Sequence, residues 1–210
     1  LSLVQETYPH GYEEQVATLL PDVETDEFGN YYKVIGNSKT MFASHLDTQS
    51  EQKYEISLFS SELNGSEIIS TDGNTILGAD DKAGVALMIY MMYHQVPGIY
   101  YFFIGEERGG VGSGEVSKSF DNITHLSGVE RCISFDRRDN HSVITHQKEQ
   151  ECCSDEFASE LCDMFNSHGL DMEKDPTGVS SDSAYLMGNI PECTNISVGY
   201  MNEHTGDEYQ

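Results

Sequence analysis

A long apolar segment near the middle of the chain constrains the fold more than any other feature. Residues 82–96, "KAGVALMIYMMYHQV", have the length of a helix, are apolar nearly all round and are closed by Pro97. They lead into the apolar run 99–104, which has the composition of a buried strand. A buried helix that feeds a buried strand packs on a covered sheet, so this pair predicts an α/β architecture.

Shorter patterns predict the other elements. A helix is expected at 13–20, before Pro21, and another between Ser154, a candidate N-cap, and Gly169, a candidate end. Further strands are expected at 31–35, 41–46, 66–70, 75–77, 132–136, 142–146 and 194–200. The alternation of strands and helices predicts a three-layer α/β/α sandwich whose mixed sheet is parallel in its centre.

Two hairpins are expected in the first half of the chain. Strands 31–35 and 41–46 surround the turn sequence "GNSK", and strands 66–70 and 75–77 surround Asp72-Gly73, a strong turn signal. The 210 residues fit one domain of ordinary size.

Charge and cysteine content narrow the classes of partner and compartment. Asp and Glu number 36 against 11 Lys and Arg, giving a formal net charge of -25, which argues against nucleic acid or an anionic membrane as partner. The five cysteines form no CxxC pair, which favours a reduced, cytoplasmic location. No apolar run has the length of a membrane span.

Polar residues that can bind metals recur where predicted strands end or a helix begins. Each group alone has an ordinary structural explanation, such as a turn, a helix cap or an exposed tail. Together they supply two histidines and several carboxylates, which suit zinc, cobalt or manganese better than a thiolate site would. The residues are His45 and Asp47, Asp80 and Asp81, Glu106 and Glu107, Asp136, and His204.

Five sequence stretches that contain these residues resemble the motifs of the di-zinc exopeptidase clan, in the same order along the chain. That clan includes peptidase T-like tripeptidases, zinc aminopeptidases, carboxypeptidases and aminoacylases. The stretches are "SHLDT", "STDGNTILGADDKAGVALMI", "IGEERGGVGS", "SFDRR" and "NEHTGDEY", and the resemblance covers about residues 28–209.

The resemblance implies a role for each matching residue. His45 and Asp136 would bind one metal, Glu107 and His204 the other, and Asp80 would bridge the two. Asp47 would hold the second ring nitrogen of His45, and Glu106 would be the catalytic base. In the clan the peptide bond between the residues that match Asp80 and Asp81 is often cis. Asp182, in "GVSSDSAYL", is a weaker candidate for a supporting or substrate-binding role, and a turn before a short helix explains it equally well.

The chain departs from the tripeptidase pattern in one respect. About 45 residues separate Asp136 from Asp182, which leaves no room for an inserted lid or dimerisation domain. We therefore expect residues 1–210 to form a single catalytic domain of the compact aminopeptidase layout. The chain ends six residues after His204, where relatives usually continue into a helix, which suggests truncation at the C-terminus.

These expectations combine into one function. The chain would be a metal-dependent hydrolase that cleaves amide bonds of short peptides as an aminopeptidase, using hydroxide between two metal ions, expected to be zinc, with Glu106 as base. Hydrolysis of N-acyl amino acids is an alternative, and a non-catalytic metal- or peptide-binding homologue is another. Neighbouring Arg137 and Arg138 are expected in ion pairs, although a substrate carboxylate is a second partner to consider. The sequence leaves the oligomeric state open.

One local feature needs explanation. In a regular strand, Glu106 and Glu107 would point to opposite faces, so a shared site requires the backbone to bend after Ile104. Gly105, Gly109 and Gly110 would permit that bend.

Overall fold

The computed structural model describes residues 1–210. Helices and strands alternate along most of the chain. The helices are α1 Glu13–Ala17, α2 Ala79–Tyr93, α3 Val111–Ser119, α4 Asp155–Ser167 and α5 Asp182–Leu186, with short 3₁₀ turns at Ser2–Val4, Glu106–Arg108, Phe120–Asn122 and Thr124–Leu126. The strands are β1 Glu24–Thr25, β2 Tyr31–Ile35, β3 Thr40–His45, β4 Phe59–Leu63, β5 Ser66–Ser70, β6 Gly98–Phe103, β7 Arg131–Arg137, β8 Ser142–Ile144, β9 His146–Gln147, β10 Gln150–Glu151, β11 Glu173–Asp175 and β12 Glu192–Ser197.

One eight-stranded sheet forms the centre of the molecule, in the order β1-β2-β6-β3-β7-β12-β8-β11. Its four middle strands, β6, β3, β7 and β12, are parallel. The pairs β1-β2, β2-β6 and β12-β8 are antiparallel. Every residue of β6 is buried, so both faces of the sheet are covered there. The predicted α/β sandwich with a mixed, centrally parallel sheet is confirmed.

Both predicted hairpins are wrong in their pairing. Strands β2 and β3 lie where they were expected, but β6 is inserted between them and pairs with both. In the second case, β5 pairs with β4 across Asn64-Gly65, and residues 75–77 form no strand. Asp72-Gly73 is still a turn, in which the Asp72 carboxylate accepts the backbone N–H of Asn74. Short-range turn signals identified the turns but could not identify the partner strands.

Helix α2 anchors the site to the sheet, because it packs on β3 and β7. The close approach depends on Gly84, where a Cβ would lie 2.1 Å from the carbonyl oxygen of Phe135. The helix is less buried than its composition suggested, since Leu87, Tyr90 and Tyr93 are exposed.

Most of the remaining predictions of local structure are confirmed. Helix α1 forms but ends at Ala17, and Ser154 caps α4 by accepting the N–H of Phe157 at 3.2 Å. Helix α3, which follows Gly110, was not predicted, because its glycines and serines give it no apolar periodicity. None of the helices combines the length and apolarity that crossing a bilayer requires.

Candidate active site

The predicted metal-binding residues meet at one edge of the central sheet. His45 is the last residue of β3, Asp136 is the second-last of β7, and the turn with Glu107 follows β6. Parallel strands present their carboxyl ends at the same edge, which is where α/β proteins place their sites. His204, beyond β12, and Asp80, ahead of the regular part of α2, reach the same place.

Asp80 lies between two pairs of side chains. Its Oδ1 is 3.0 Å from His45 Nε2, and that nitrogen is 3.7 Å from Asp136 Oδ1. The other oxygen, Oδ2, is 3.1 Å from His204 Nε2, which is 2.8 Å from Glu107 Oε1. Each Asp80 oxygen thus faces one histidine-carboxylate pair. This is the partition that the resemblance implied for two metals bridged by one carboxylate.

The donor atoms fit metal ions better than they fit one another. Glu107 Oε1 is buried and has no hydrogen-bond partner, although His204 Nε2 is only 2.8 Å away, because the contact lacks hydrogen-bond geometry. Donor atoms of His45, Asp80 and Glu107 lie within 4.8 Å of one another, and those of His45, Asp81 and Asp136 do too. Converging imidazole and carboxylate donors suit zinc and similar divalent ions.

The backbone bends after β6 as the two glutamates require. Gly105 is left-handed at φ 62°, and Glu106–Arg108 form a 3₁₀ turn. The turn is held by Asp47, whose carboxylate accepts the backbone N–H groups of Glu106 at 3.0 Å and Glu107 at 3.2 Å.

Asp47 also lies at Nδ1 of His45, the ring nitrogen to which the resemblance assigned it. The closest contact of His45 Nδ1 is the backbone oxygen of Asp47 at 3.1 Å, while the Asp47 carboxylate is 3.4 Å away. The aspartate therefore supports the histidine and the glutamate turn at once.

Several supporting residues were missed by the sequence reasoning. Glu208 is buried, and its carboxylate accepts the backbone N–H groups of Gly78 at 2.8 Å and Asp80 at 3.0 Å. Asn195 pairs with the backbone of Asp136 through both of its side-chain atoms, and Tyr200 donates its hydroxyl to Asp136 Oδ1 at 3.2 Å. "NEHTGDEY" contained Glu208, but a glutamate that serves only backbone amides leaves no spacing pattern to detect.

Two aspartates are buried beside the site. Asp81 accepts the backbone N–H groups of His45 at 3.1 Å and Gly84 at 3.2 Å, and its peptide bond with Asp80 is cis. Asp182 begins α5 and has a buried Oδ1 without a hydrogen-bond partner. Burial, with the charge of Glu106 added, raises the pKa of Asp182 to about 8.

The crowded charges shift the other ionisation equilibria as well. The neighbouring carboxylates of Asp80 and Glu107 raise the pKa of His204 to about 10. Burial raises the pKa of Glu106 to about 7, and the charge of Glu107 adds to the effect. Burial opposes ionisation of Asp80, but His204 and His45 outweigh it and lower its pKa. A polyanionic site of this kind favours bound cations.

An open cleft of about 220 Å³ gives access to the site. Asp80, Glu106 and Glu107 line it on one side, and the loop of Gly178 and Val179 on the other. Arg137 and Arg138 also line it, but both are in ion pairs, with Asp175 at 3.2 Å and Glu203 at 2.9 Å respectively. The expectation of ion pairs for these arginines is confirmed.

Comparison with known proteins identifies the fold. No protein-family model matches the sequence, and no curated protein matches it. Solved structures do match: the Pyrococcus horikoshii TET1 peptidase has a TM-score of 0.73 at 14% identity, covering 99% of this chain and 92% of that one. Aminopeptidase PepT from Bacillus cereus has a TM-score of 0.70 at 16% identity, covering 99% of this chain and 91% of that one. A Staphylococcus aureus tripeptidase has a TM-score of 0.67 at 18% identity, covering 100% of this chain and 91% of that one.

These structural similarities show which fold the chain has. The chain has the fold of these peptidases, so the resemblance noted in the motifs is confirmed at the level of the fold. The chain is similar over its whole length to peptidases that are less than one fifth identical in sequence.

Proposed function

We propose that this protein is a metal-dependent exopeptidase that removes amino-terminal residues from short peptides. The observation that carries the proposal is the position of Asp80 between the His45–Asp136 and His204–Glu107 pairs, with Glu106 beside them in the same cleft. The likeness of the whole chain to peptidases supports the same reaction class. We further propose that residues 1–210 act as a single catalytic domain without a lid.

The residues that would hold the ions divide between two sites. His45 and Asp136 would serve one, Glu107 and His204 the other, and Asp80 both. Two divalent ions held there, most simply zinc, with cobalt or manganese as alternatives, would lower the pKa of a water molecule and polarise the scissile carbonyl.

The chain's own part in the reaction is proton transfer by Glu106. Its carboxylate would accept a proton from the attacking water and return it to the leaving amine. A pKa of about 7 lies in the range where such transfers are efficient at neutral pH. Asp47 fixes the backbone amide of Glu106, so the carboxylate has little freedom to leave the cleft.

The test combines a substrate panel with a variant of the base. Zinc- or cobalt-loaded protein should hydrolyse aminoacyl anilides and dipeptides, and Glu106→Gln should lower kcat by about 10²- to 10⁴-fold. The bound metal, measured by mass spectrometry, should stay at the wild-type content. Glu115→Gln, on the exposed side of α3, is the matched control and should keep wild-type rates.

Two results would contradict the proposal. The first is a metal-loaded wild-type protein that turns over nothing in the panel, which would favour a non-catalytic homologue. The second is wild-type hydrolysis by Glu106→Gln. Turnover of N-acyl amino acids alone would replace the peptidase by the deacylase alternative.

A further inference from the structure

A lysine stands beside the cleft without a carboxylate partner, in a protein with more than three acidic residues for every basic one. Lys148 has no carboxylate oxygen within ion-pair distance, whereas Arg137 and Arg138, which line the cleft, are both paired. Its side chain is exposed, so its ammonium group is open to a ligand. Lys82 and Arg108 also lack an ion pair, so a role for Lys148 rests on its surroundings.

The backbone conformation at Lys148 does not require a lysine. Lys148 and Glu149 form the two-residue turn between β9 and β10, with left-handed φ angles of 49° and 62°. Such turns favour Asn-Gly, because residues with a longer side chain are strained there. The turn itself therefore gives no structural reason for a lysine at this position.

The hairpin tip is fixed against the wall of the cleft. The backbone N–H of Lys148 donates to Val179 O at 2.7 Å, and both Val179 and Gln147 line the cleft. Burial of part of the side chain lowers the pKa of Lys148, and the charges of Glu106 and Asp182 oppose that shift. The hairpin tip therefore lies against the wall of the cleft that also contains the proposed catalytic base.

Tyr185 sets the position of the ammonium group. Lys148 Nζ lies 3.1 Å from the centre of the Tyr185 ring, a cation–π contact. The ring also packs on Gly110, where a Cβ would be only 2.2 Å from Tyr185 Cε2. Gly110 lies two residues beyond the Glu106–Arg108 turn and donates its N–H to Glu106 O at 3.0 Å, so the ring contacts both that segment and the lysine.

A second polar group at the same wall also lacks a partner. Ser180 lines the cleft next to Val179, and its buried Oγ makes no hydrogen bond. An ammonium group and a hydroxyl, both with free donors, are complementary to a carboxylate.

We propose that Lys148, with Ser180, binds a carboxylate of the substrate at the edge of the cleft and so determines specificity. The inference rests on the proposed peptidase function. A peptide can offer such a carboxylate at its C-terminus or on an acidic side chain at its N-terminal residue. Both have the same chemistry, and matched ligands distinguish them.

Equilibrium binding tests the inference without requiring turnover. Calorimetry on zinc-loaded Glu106→Gln protein compares triglycine with triglycine amide, which differ in the C-terminal carboxylate. It also compares glutamic acid α-amide with glutamine α-amide, which differ in the side-chain carboxylate. We expect the carboxylate form of one pair to bind about 10- to 100-fold more tightly than its neutral partner, the range of a charge-assisted hydrogen bond. The pair that shows the preference identifies the source of the carboxylate.

Variants assign that preference to the lysine. Adding Lys148→Met should abolish it and leave the Kd of the neutral ligand within about twofold, whereas Lys148→Arg should keep most of it. Lys118→Met, at a surface lysine paired with Glu115 in α3, is the matched control and should change nothing. Circular dichroism establishes that each variant is folded.

The outcomes separate this inference from the proposed function. Equal binding within both pairs, or a preference that survives Lys148→Met, overturns the role of Lys148. Hydrolysis of anilides by a protein with no carboxylate preference would refute that role alone. A Lys148-dependent preference in a protein that hydrolyses nothing would refute the peptidase proposal and leave the role of Lys148 standing.

Discussion

Replacing Asp47 with asparagine tests how the glutamate turn is held. The Asp47 carboxylate is completely buried and accepts two backbone N–H groups, from Glu106 at 3.0 Å and Glu107 at 3.2 Å. Asparagine has almost the same shape but offers one acceptor oxygen, and its NH₂ group would face the second N–H. One charge-assisted hydrogen bond is lost, about 1.5–3 kcal/mol, and one buried donor is left unpaired, about 1–3 kcal/mol. We therefore expect Asp47→Asn to lower the free energy of unfolding by about 3–5 kcal/mol.

The assay is urea unfolding of the metal-free protein, followed by circular dichroism, since the chain contains no tryptophan. Asp171→Asn is the control, because Asp171 is exposed on the surface, and it should stay within about 0.5 kcal/mol of wild type. In the metal-loaded protein, Asp47→Asn should also lower kcat, because Glu106 would lose its fixed position. An unfolding free energy for Asp47→Asn equal to that of the control would refute the reasoning.

Two further perturbations follow from the site and its packing. In EDTA, the unfolding free energy should fall as pH rises from about 4 to 8, because Glu106 and Asp182 have raised folded pKa values of about 7 and 8 and keep protons that the unfolded chain has released. Urea titrations at several pH values check this, and a stability that rises over this range would contradict it. Gly84→Ala should destabilise by about 1–3 kcal/mol, because its Cβ would overlap Phe135 O at 2.1 Å. Gly188→Ala, with nothing within 4 Å, should unfold like wild type, and equal midpoints for both variants would refute the packing account.

The fold class could be predicted because local patterns determine it. The apolar segment that became α2 and the continuous apolar strand β6 can each be recognised from composition, length and boundaries. Strand pairing is different, since it depends on residues far away in the sequence. The prediction that β2 pairs with β3 failed because β6, more than 50 residues after either strand, pairs with both of them. Turn residues between two strands favour a hairpin but cannot exclude an inserted third strand.

The candidate site was more predictable than the sheet. Its residues stand at strand ends, and parallel strands bring those ends together whatever their order in the sheet. What the sequence lacked was any sign of residues that act through the backbone. Glu208 and Asn195 support the site by binding main-chain groups, and the hairpin of Lys148 contacts the cleft wall through the backbone of Val179. Their positions follow from tertiary packing, which no spacing rule describes.

The backbone contacts have a consequence for how the site tolerates change. Other side chains hold the backbone N–H groups of the proposed ligands in place. Glu208 accepts the N–H of Asp80, Asp47 accepts that of Glu107, and Asn195 accepts that of Asp136. Hydrogen bonds within the protein therefore orient the proposed metal ligands, as outer hydrogen-bond partners do in metalloproteins. Removing a proposed ligand, such as His204 on its exposed segment, takes away a donor and leaves these buried bonds intact. Removing one of the three supporting side chains leaves buried amides unpaired, so it damages the fold and the site together.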